Sequence, residues 1–355
     1  MKNIFILLYF FFTAFSGATA ADSCSHKKVY IIPIPILYYV PETRLAFGAG
    51  ASFTFKLNKD SATNYSEFLG VAAYTQNHQI VLYSPFELYT KNNNYYFEGD
   101  VGFYKYSYYY WGTGTDRVNK ELYEVIYPRI TLNTYRRLFS KFYAGFDYNL
   151  QRNHIIKTDP QGTLTTGSIT GSTGYVASGI GLDLLYDSRD SIFFPTKGLF
   201  IRIATFDYSS LFGSTALFKK ITTDFSWYKK ITPTVILAIN QRNQFTYGNA
   251  PFDQLALIGG SRQMRGYYYG YYRDKFMTLL QAEARIHLYG VWGLAVFGAS
   301  ALIGHPGVFP ESPGLILAEG AGLRYNANKR QHINVRGDIG YGRSLEYYLS
   351  VEEAF

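Results

Sequence analysis

Three groups of side chains along this chain could do chemistry. Glu283, Arg285 and His287 occur at alternate positions, so an extended strand places all three on one face. An acid, a guanidinium and an imidazole in a row invite a hydrolase reading, but no serine stands in a local nucleophile motif and ion pairing is the simpler account. No enzymatic activity is expected. Asp187, Arg189 and Asp190, followed by Pro195 and Gly198, could suggest a metal or acid site; the same residue types more simply build a turn. No metal and no cofactor is expected. The third group is the stretch from Leu257 to Lys275, LIGGSRQMRGYYYGYYRDK, where Arg265, Gly266 and Tyr267 sit in a long connection between two alternating segments. If that arginine is enclosed it needs a carboxylate, because breaking a buried ion pair costs about 3 to 5 kcal/mol.

The elements that must position these groups are strands. Between Phe276 and Leu288 one face reads Phe276, Thr278, Leu280, Ala282, Ala284, Ile286, Leu288 and the other Met277, Leu279, Gln281, Glu283, Arg285, His287. Between Gln331 and Tyr341, the apolar Ile333, Val335, Ile339 and Tyr341 alternate with His332, Asn334, Arg336 and Asp338. Similar period-two patterns occupy Leu217–Trp227, Val176–Tyr186 and Val235–Phe245. Counting such segments predicts about 16 strands, an even number that suits a single-chain outer-membrane barrel. The polar face would line a lumen, where Glu283, Arg285, Arg336 and Asp338 can pair. Gly48-Ala49-Gly50 and Gly179-Ile180-Gly181 precede no helix, so phosphate-loop readings fail and close strand approach is the better account.

Composition narrows the class. Among 355 residues, 19% are aromatic, with 35 Tyr and 28 Phe, yet the mean hydropathy is only −0.10. Polar on average and crowded with aromatics, the chain suits a transmembrane β-barrel with aromatic girdles. A secreted β-sandwich or propeller is the soluble alternative. Residues 1–20 carry Lys2, an apolar run and Ala18-Thr19-Ala20, the pattern of a signal peptide. Beyond them no run of about 18 apolar residues predicts a spanning helix. Cys24 is the one cysteine, which excludes an internal disulfide. The net charge of +8 is explained by basic residues in turns and lumen, and no nucleic-acid partner is expected.

With the N-terminus on the periplasmic side, short links (Lys91–Asn94, Arg136–Ser140, Lys229–Pro233, Asn326–Arg330) fall on one side. The longer Ser107–Asn119, Gln151–Thr173, Tyr247–Lys275 and Gly304–Gly314 fall on the other, as in outer-membrane barrels. The expected organisation is a signal peptide (1–20), a short periplasmic segment (21–28) and one barrel (29–355). The fold class is all-β: a transmembrane antiparallel barrel with an inserted sixth extracellular loop.

LIGGSRQMRGYYYGYY resembles the sixth outer loop of the bacterial surface antigen superfamily, the outer-membrane assembly factors that include the barrel insertase and the two-partner secretion transporters. YDSRDSIFFPTKG (Tyr186 to Gly198), GAGLRYN (Gly320 to Asn326) and RGDIGYG (Arg336 to Gly342) are similar to further family motifs in the same order. The resemblance implies a loop folded back into the lumen, its Arg265-Gly266-Tyr267 tip docked on the inner wall. It implies protein insertion or translocation in the bacterial outer membrane, amid its lipid, on client outer-membrane or secreted proteins, with a possible periplasmic or outer-membrane partner subunit. Phe355 is similar to the family's terminal aromatic, an assembly signal.

Two departures qualify the transfer. Ala21 to Lys28 has no room for the periplasmic transport-associated domains of the best-known members, so substrate reception would fall to a partner. Ala299 stands where the family usually places an aspartate for the loop arginine. Glu283 is then the expected bidentate partner of Arg265, with Asp338 behind it. Tyr268, Tyr269, Tyr271 and Tyr272 read equally as an interface girdle or as lumen packing. Glu352 and Glu353 are awkward for a lipid-facing last strand and suit the periplasmic rim or a loosely paired edge. A porin-like diffusion channel, a lipid-handling barrel and an embedded hydrolase are the rival readings.

Overall fold

Alternating segments bounded by Gly, Asn and Pro turns leave each hairpin one water-facing and one lipid-facing side, and successive hairpins extend one antiparallel sheet. A computed structural model describes residues 29–40, 44–58, 63–192, 194–310, 314–328, 333–351 and 353–355. The expected signal peptide, residues 21–28 with Cys24, Glu352 and His332 lie outside them.

The wall begins with β1 (Tyr30–Val40), β2 (Arg44–Phe55), β3 (Ser66–Thr75) and β4 (Ile80–Tyr89). It continues through β5 (Tyr95–Thr113), β6 (Asp116–Phe139), β7 (Phe142–Lys157), β8 (Tyr175–Asp187), β9 (Gly198–Tyr208), β10 (Phe218–Lys230) and β11 (Val235–Gly248). A separate ribbon, β12 (Ala256–Ile258) with β13 (Tyr272–Asp274), stands inside the sixth outer loop. The wall resumes with β14 (Phe276–Tyr289), β15 (Trp292–Gly304), β16 (Ile316–Asn328), β17 (Ile333–Tyr341) and β18 (Leu345–Val351). Among the described residues, sixteen wall strands run in chain order from β1 to β18, each paired to the next. Among the described residues no ladder joins β1 to β18, so the seam of the barrel lies there.

The polarity of the wall is inverted relative to a water-soluble domain. Leu280, Val296, Leu323 and Ile339 are about half exposed, while Glu283, Arg285, Arg324, Arg336 and Asp338 are buried. Apolar side chains face outward to lipid and ionised ones inward, as a membrane barrel requires.

One expected loop is largely strand, and a second begins as strand. β5 and β6, 19 and 24 residues long, exceed the roughly 9–11 residues a tilted crossing needs. Their hairpin absorbs Ser107–Asn119 because cross-strand pairs such as Tyr108↔Tyr123 and Tyr110↔Glu121 continue past the membrane. β7 likewise runs on to Lys157, which leaves residues 158–174 as the loop.

Candidate functional site: the sixth loop inside the barrel

Loop residues 249–275 turn inward instead of projecting outward. Gly259 and Gly260 have φ of 116° and 95°, a left-handed pair closed to non-glycine residues at low cost. The Gly260 N–H donates to Tyr267 O at 2.9 Å and closes the turn that carries the tip. The tip's apolar side, Met264 and Tyr267 with Ile258 from β12, packs on Met277, Leu279, Ile303 and Ile316 of β14–β16. This accounts for Met277 and Leu279 on a luminal face that is otherwise polar.

The neck is held from above. Arg273, buried, donates from Nη2 to Gly270 O at 2.9 Å and to Tyr109 O at 3.4 Å, so it ties β13 to β5. Gly114 N–H donates to Arg273 O at 2.9 Å, and Arg117 Nη1 to Tyr271 O at 2.8 Å, at the tip of the long hairpin. Tyr268 packs edge-on against Trp111, ring centroids 5.0 Å apart, and Tyr271 and Tyr272 pack on the apolar cluster of the tip. Three of these four tyrosines therefore serve the loop and the hairpin, while Tyr269 is half exposed.

Below the tip, one row of the wall forms the floor. Glu283 pairs with Phe297, Phe297 with Gly320, and Gly320 with Gly340 across β14–β17. A Cβ on Gly320 would fall 2.4 Å from the Phe297 ring, so the glycine makes room for that ring. The ring in turn lies 3.4 Å from the Arg265 guanidinium, a cation–π contact. A Cβ on Gly340 would fall 2.7 Å from Gly266 N, and one on Gly266, whose φ is 114°, 2.7 Å from the Tyr341 carbonyl carbon. The backbone of the tip thus lies directly on β17. Tyr348 of β18 completes the seat: its hydroxyl accepts from Gly266 N–H at 3.0 Å and donates to Tyr267 O at 3.1 Å. Tyr267 OH donates to Leu317 O at 3.0 Å.

Arg265 is 2% exposed and spans two strands: Nη2 donates to Glu283 Oε2 at 2.6 Å and Nη1 to Asp338 Oδ2 at 2.7 Å. In place of a bidentate contact from Glu283 with Asp338 behind it, each carboxylate takes one contact. The two carboxylates stand on β14 and β17, and the planar fork of the guanidinium bridges them. Arg285 does not meet Arg265; its Nε donates to the other Glu283 oxygen at 2.8 Å and its Nη2 to the main-chain oxygen of Phe355 at 2.7 Å. Arg336 pairs with Asp338 and donates to Ser261 O at 2.9 Å. Ala299, in the place of the family aspartate, packs on the apolar cluster instead.

Two members of this network escaped sequence reasoning. Arg324 donates to Glu353 at 2.9 Å, Asp338 at 2.5 Å and Glu283 at 3.3 Å. Glu353, 5% exposed, also accepts from Asn334 at 2.8 Å. Glu353 thus belongs to the luminal charge network. The available signal for Arg324 was its alternation with Leu323, which assigns it to the inner face. On the opposite wall a second cluster, also unforeseen, joins Arg202 of β9 to Asp183 at 2.6 Å, Glu98 at 3.4 Å and Asp147 at 3.5 Å.

The remaining candidates separate from this site. Asp187 grips Arg189 with Nε and Nη2 contacts of 3.0 and 2.7 Å, and Asp190 accepts from the backbone of Thr196 at 2.9 Å and of Lys197 at 3.3 Å. Slight burial would raise the Asp190 pKa, but the hydrogen bonds from Thr196 and Lys197 outweigh it and lower it. Gly198, at φ 113°, lets the turn enter β9, and Pro195 is buried beside it. His287 is exposed near the turn after β14, apart from the buried Glu283 and Arg285, so the hydrolase trio is not assembled. Among the described residues no group of His, Cys, Asp and Glu could hold a metal.

The profile of the Omp85 superfamily domain matches residues 46–304. No curated protein sequence matches the chain. Among solved structures, the chain is similar to BamA from Haemophilus ducreyi, crystallised without POTRA domains 1–3. The TM-score is 0.62 at 13% identity, over 92% of this chain and 70% of that one. It is similar to CdiB from Escherichia coli, with TM-score 0.60 and 13% identity over 91% of this chain and 60% of that one. CdiB from Acinetobacter baumannii gives 0.57 and 10% over 89% and 56%. The chain spans between 56% and 70% of the length of these proteins, and at such identities the likeness is one of fold.

Proposed function

Because the chain belongs to the Omp85 superfamily and is an outer-membrane β-barrel, we propose that it inserts or translocates proteins at the seam between β1 and β18. The observation that carries this reading is the asymmetry of the seam strands. β18 is gripped from the lumen by the loop tip through Tyr348, yet among the described residues it has no ladder to β1. The free backbone edge of β1, 11 residues long against 7 in β18, is a template for an incoming strand. Arg265 holds β14 to β17 while the edge works, so the wall beside the seam stays rigid. Clients are outer-membrane or secreted polypeptides, delivered by a periplasmic or outer-membrane partner. Asp187, Arg189 and Asp190 shape a turn, Phe355 serves as an assembly signal, and none of these groups is catalytic.

A wide diffusion channel fits less well, since loop 249–275 occupies the lumen. The test is photo-crosslinking in native outer membranes from a reactive residue placed at Ile34 of β1. The expected products are adducts with other outer-membrane or secreted polypeptides, and they disappear when cysteines introduced on β1 and β18 are tethered. A reactive Ile34 position that captures lipid alone contradicts the proposal.

A further inference from the structure

The lipid-facing side of β9 and β10 changes character at its periplasmic end. Cross-strand pairs descend it in the order Ile203↔Thr223, Ile201↔Phe225 and Leu199↔Trp227. Ile203 and Phe225 are exposed there, on the outside of the wall. The ladder ends one residue later, at Gly198↔Tyr228, and the next residue on each side is a lysine: Lys197 and Lys229, both exposed.

Like charges at facing positions of an antiparallel pair repel. Neither ammonium has an ion-pair partner among the described residues. The carboxylates of the adjoining turn are engaged elsewhere: Asp187 pairs with Arg189 at 2.7 Å, and Asp190 spends its oxygens on Thr196 and on the Lys197 backbone N–H. The Lys197 carbonyl accepts from Asp190 N–H at 3.2 Å, so the backbone at 197 is held while its charge stays uncompensated. Trp227, just above, is of the type that sits at the headgroup level of a bilayer. An apolar row, a tryptophan and two unpaired lysines thus follow in the order of a lipid's acyl chain, interface and phosphate. A zwitterionic headgroup brings its own cation to that phosphate; a net acidic one does not, and it relieves the repulsion between the lysines.

We propose that Lys197 and Lys229 bind the phosphate of an acidic glycerophospholipid of the inner leaflet, with an acyl chain along Trp227, Phe225 and Ile201. The site lies half-way round the sixteen-strand wall from the seam, where it anchors the barrel without touching the edge strands.

The test uses the full chain carrying Trp111→Phe and Trp292→Phe, which leaves Trp227 as the one tryptophan, in phosphatidylcholine nanodiscs. Phosphatidylglycerol and phosphatidylcholine with brominated chains are titrated in as quenchers. A cation near a membrane surface is worth about fivefold in acidic-lipid binding, so two should bring half-quenching at a phosphatidylglycerol fraction about 25-fold lower than for phosphatidylcholine. Lys197→Gln and Lys229→Gln each cut that preference about fivefold, and the double substitution removes it. If the single-tryptophan form fails to fold, electron spin resonance of chain-labelled lipids makes the same comparison on the unsubstituted chain and its lysine variants. Equal half-quenching by the two lipids overturns the proposal. A preference retained in the double variant assigns it to other cations of the rim and overturns the site. Loss of the preference on adding inorganic phosphate at matched ionic strength overturns the lipid in favour of a free oxyanion.

Discussion

Gly266 of the loop tip rests on Gly340 of β17 backbone to backbone, with room for no side chain at either position. At 340 a methyl group would meet Gly266 N at 2.7 Å, and at 266 it would meet the Tyr341 carbonyl carbon at the same distance. Gly266→Ala adds the strain of a φ of 114°, about 1 to 3 kcal/mol. Either substitution should lift the tip off the wall and make loop 249–275 cleavable by external protease in intact cells. An uncleaved loop in both variants would place the tip elsewhere.

Arg265→Gln removes one of the two cations that Glu283 and Asp338 share and leaves Arg324 on both, so the loss is at most about 3 to 5 kcal/mol. The midpoint of heat-induced unfolding in detergent should fall clearly. Arg265→Lys recovers only part, because an ammonium lacks the fork that reaches both carboxylates. Equal midpoints for wild type and Arg265→Gln would show that the bridge contributes nothing.

Tyr348→Phe removes one acceptor and one donor at the tip and leaves Gly266 N–H without its partner. The expected loss is about 1 to 3 kcal/mol, with β18 freed from the lumen. Hydrogen exchange of the β18 amides should accelerate while that of β14 is unchanged. Unaltered exchange in β18 would remove the tip from the account of the seam.

Asp190 tests the periplasmic turn through pH. Its folded pKa lies below the ordinary 3.8, so its contribution is present above that value and is lost as pH falls through the folded pKa. The stability difference between wild type and Asp190→Asn should be present at neutral pH and close only below about pH 3.8. A difference that closes already near pH 6 would assign the effect to another group.

The barrel was legible because lipid outside and water inside impose a period of two, as in Leu280 against Gln281 or Ile339 against Asp338. The tip was legible through the Arg265 resemblance, but its chemistry was not fully so. Nothing local links Glu283 to Asp338; they converge only through the register that sets Glu283, Phe297, Gly320 and Gly340 in a row. Glu353 looked misplaced on a lipid-facing strand because its luminal partners, Arg324 and Asn334, stand on other strands and leave no period in its own sequence. The β5–β6 extension was hidden for the opposite reason. Its tyrosines and charges alternate past the membrane, and loop-like composition concealed a continued ladder.

Single-channel conductance in planar bilayers tests the central claim most directly, that loop 249–275 fills the lumen and braces its wall. The full chain should conduct weakly, and deletion of Gly260–Tyr272 should raise the conductance severalfold. A large conductance in the full chain, unchanged by that deletion, would contradict it.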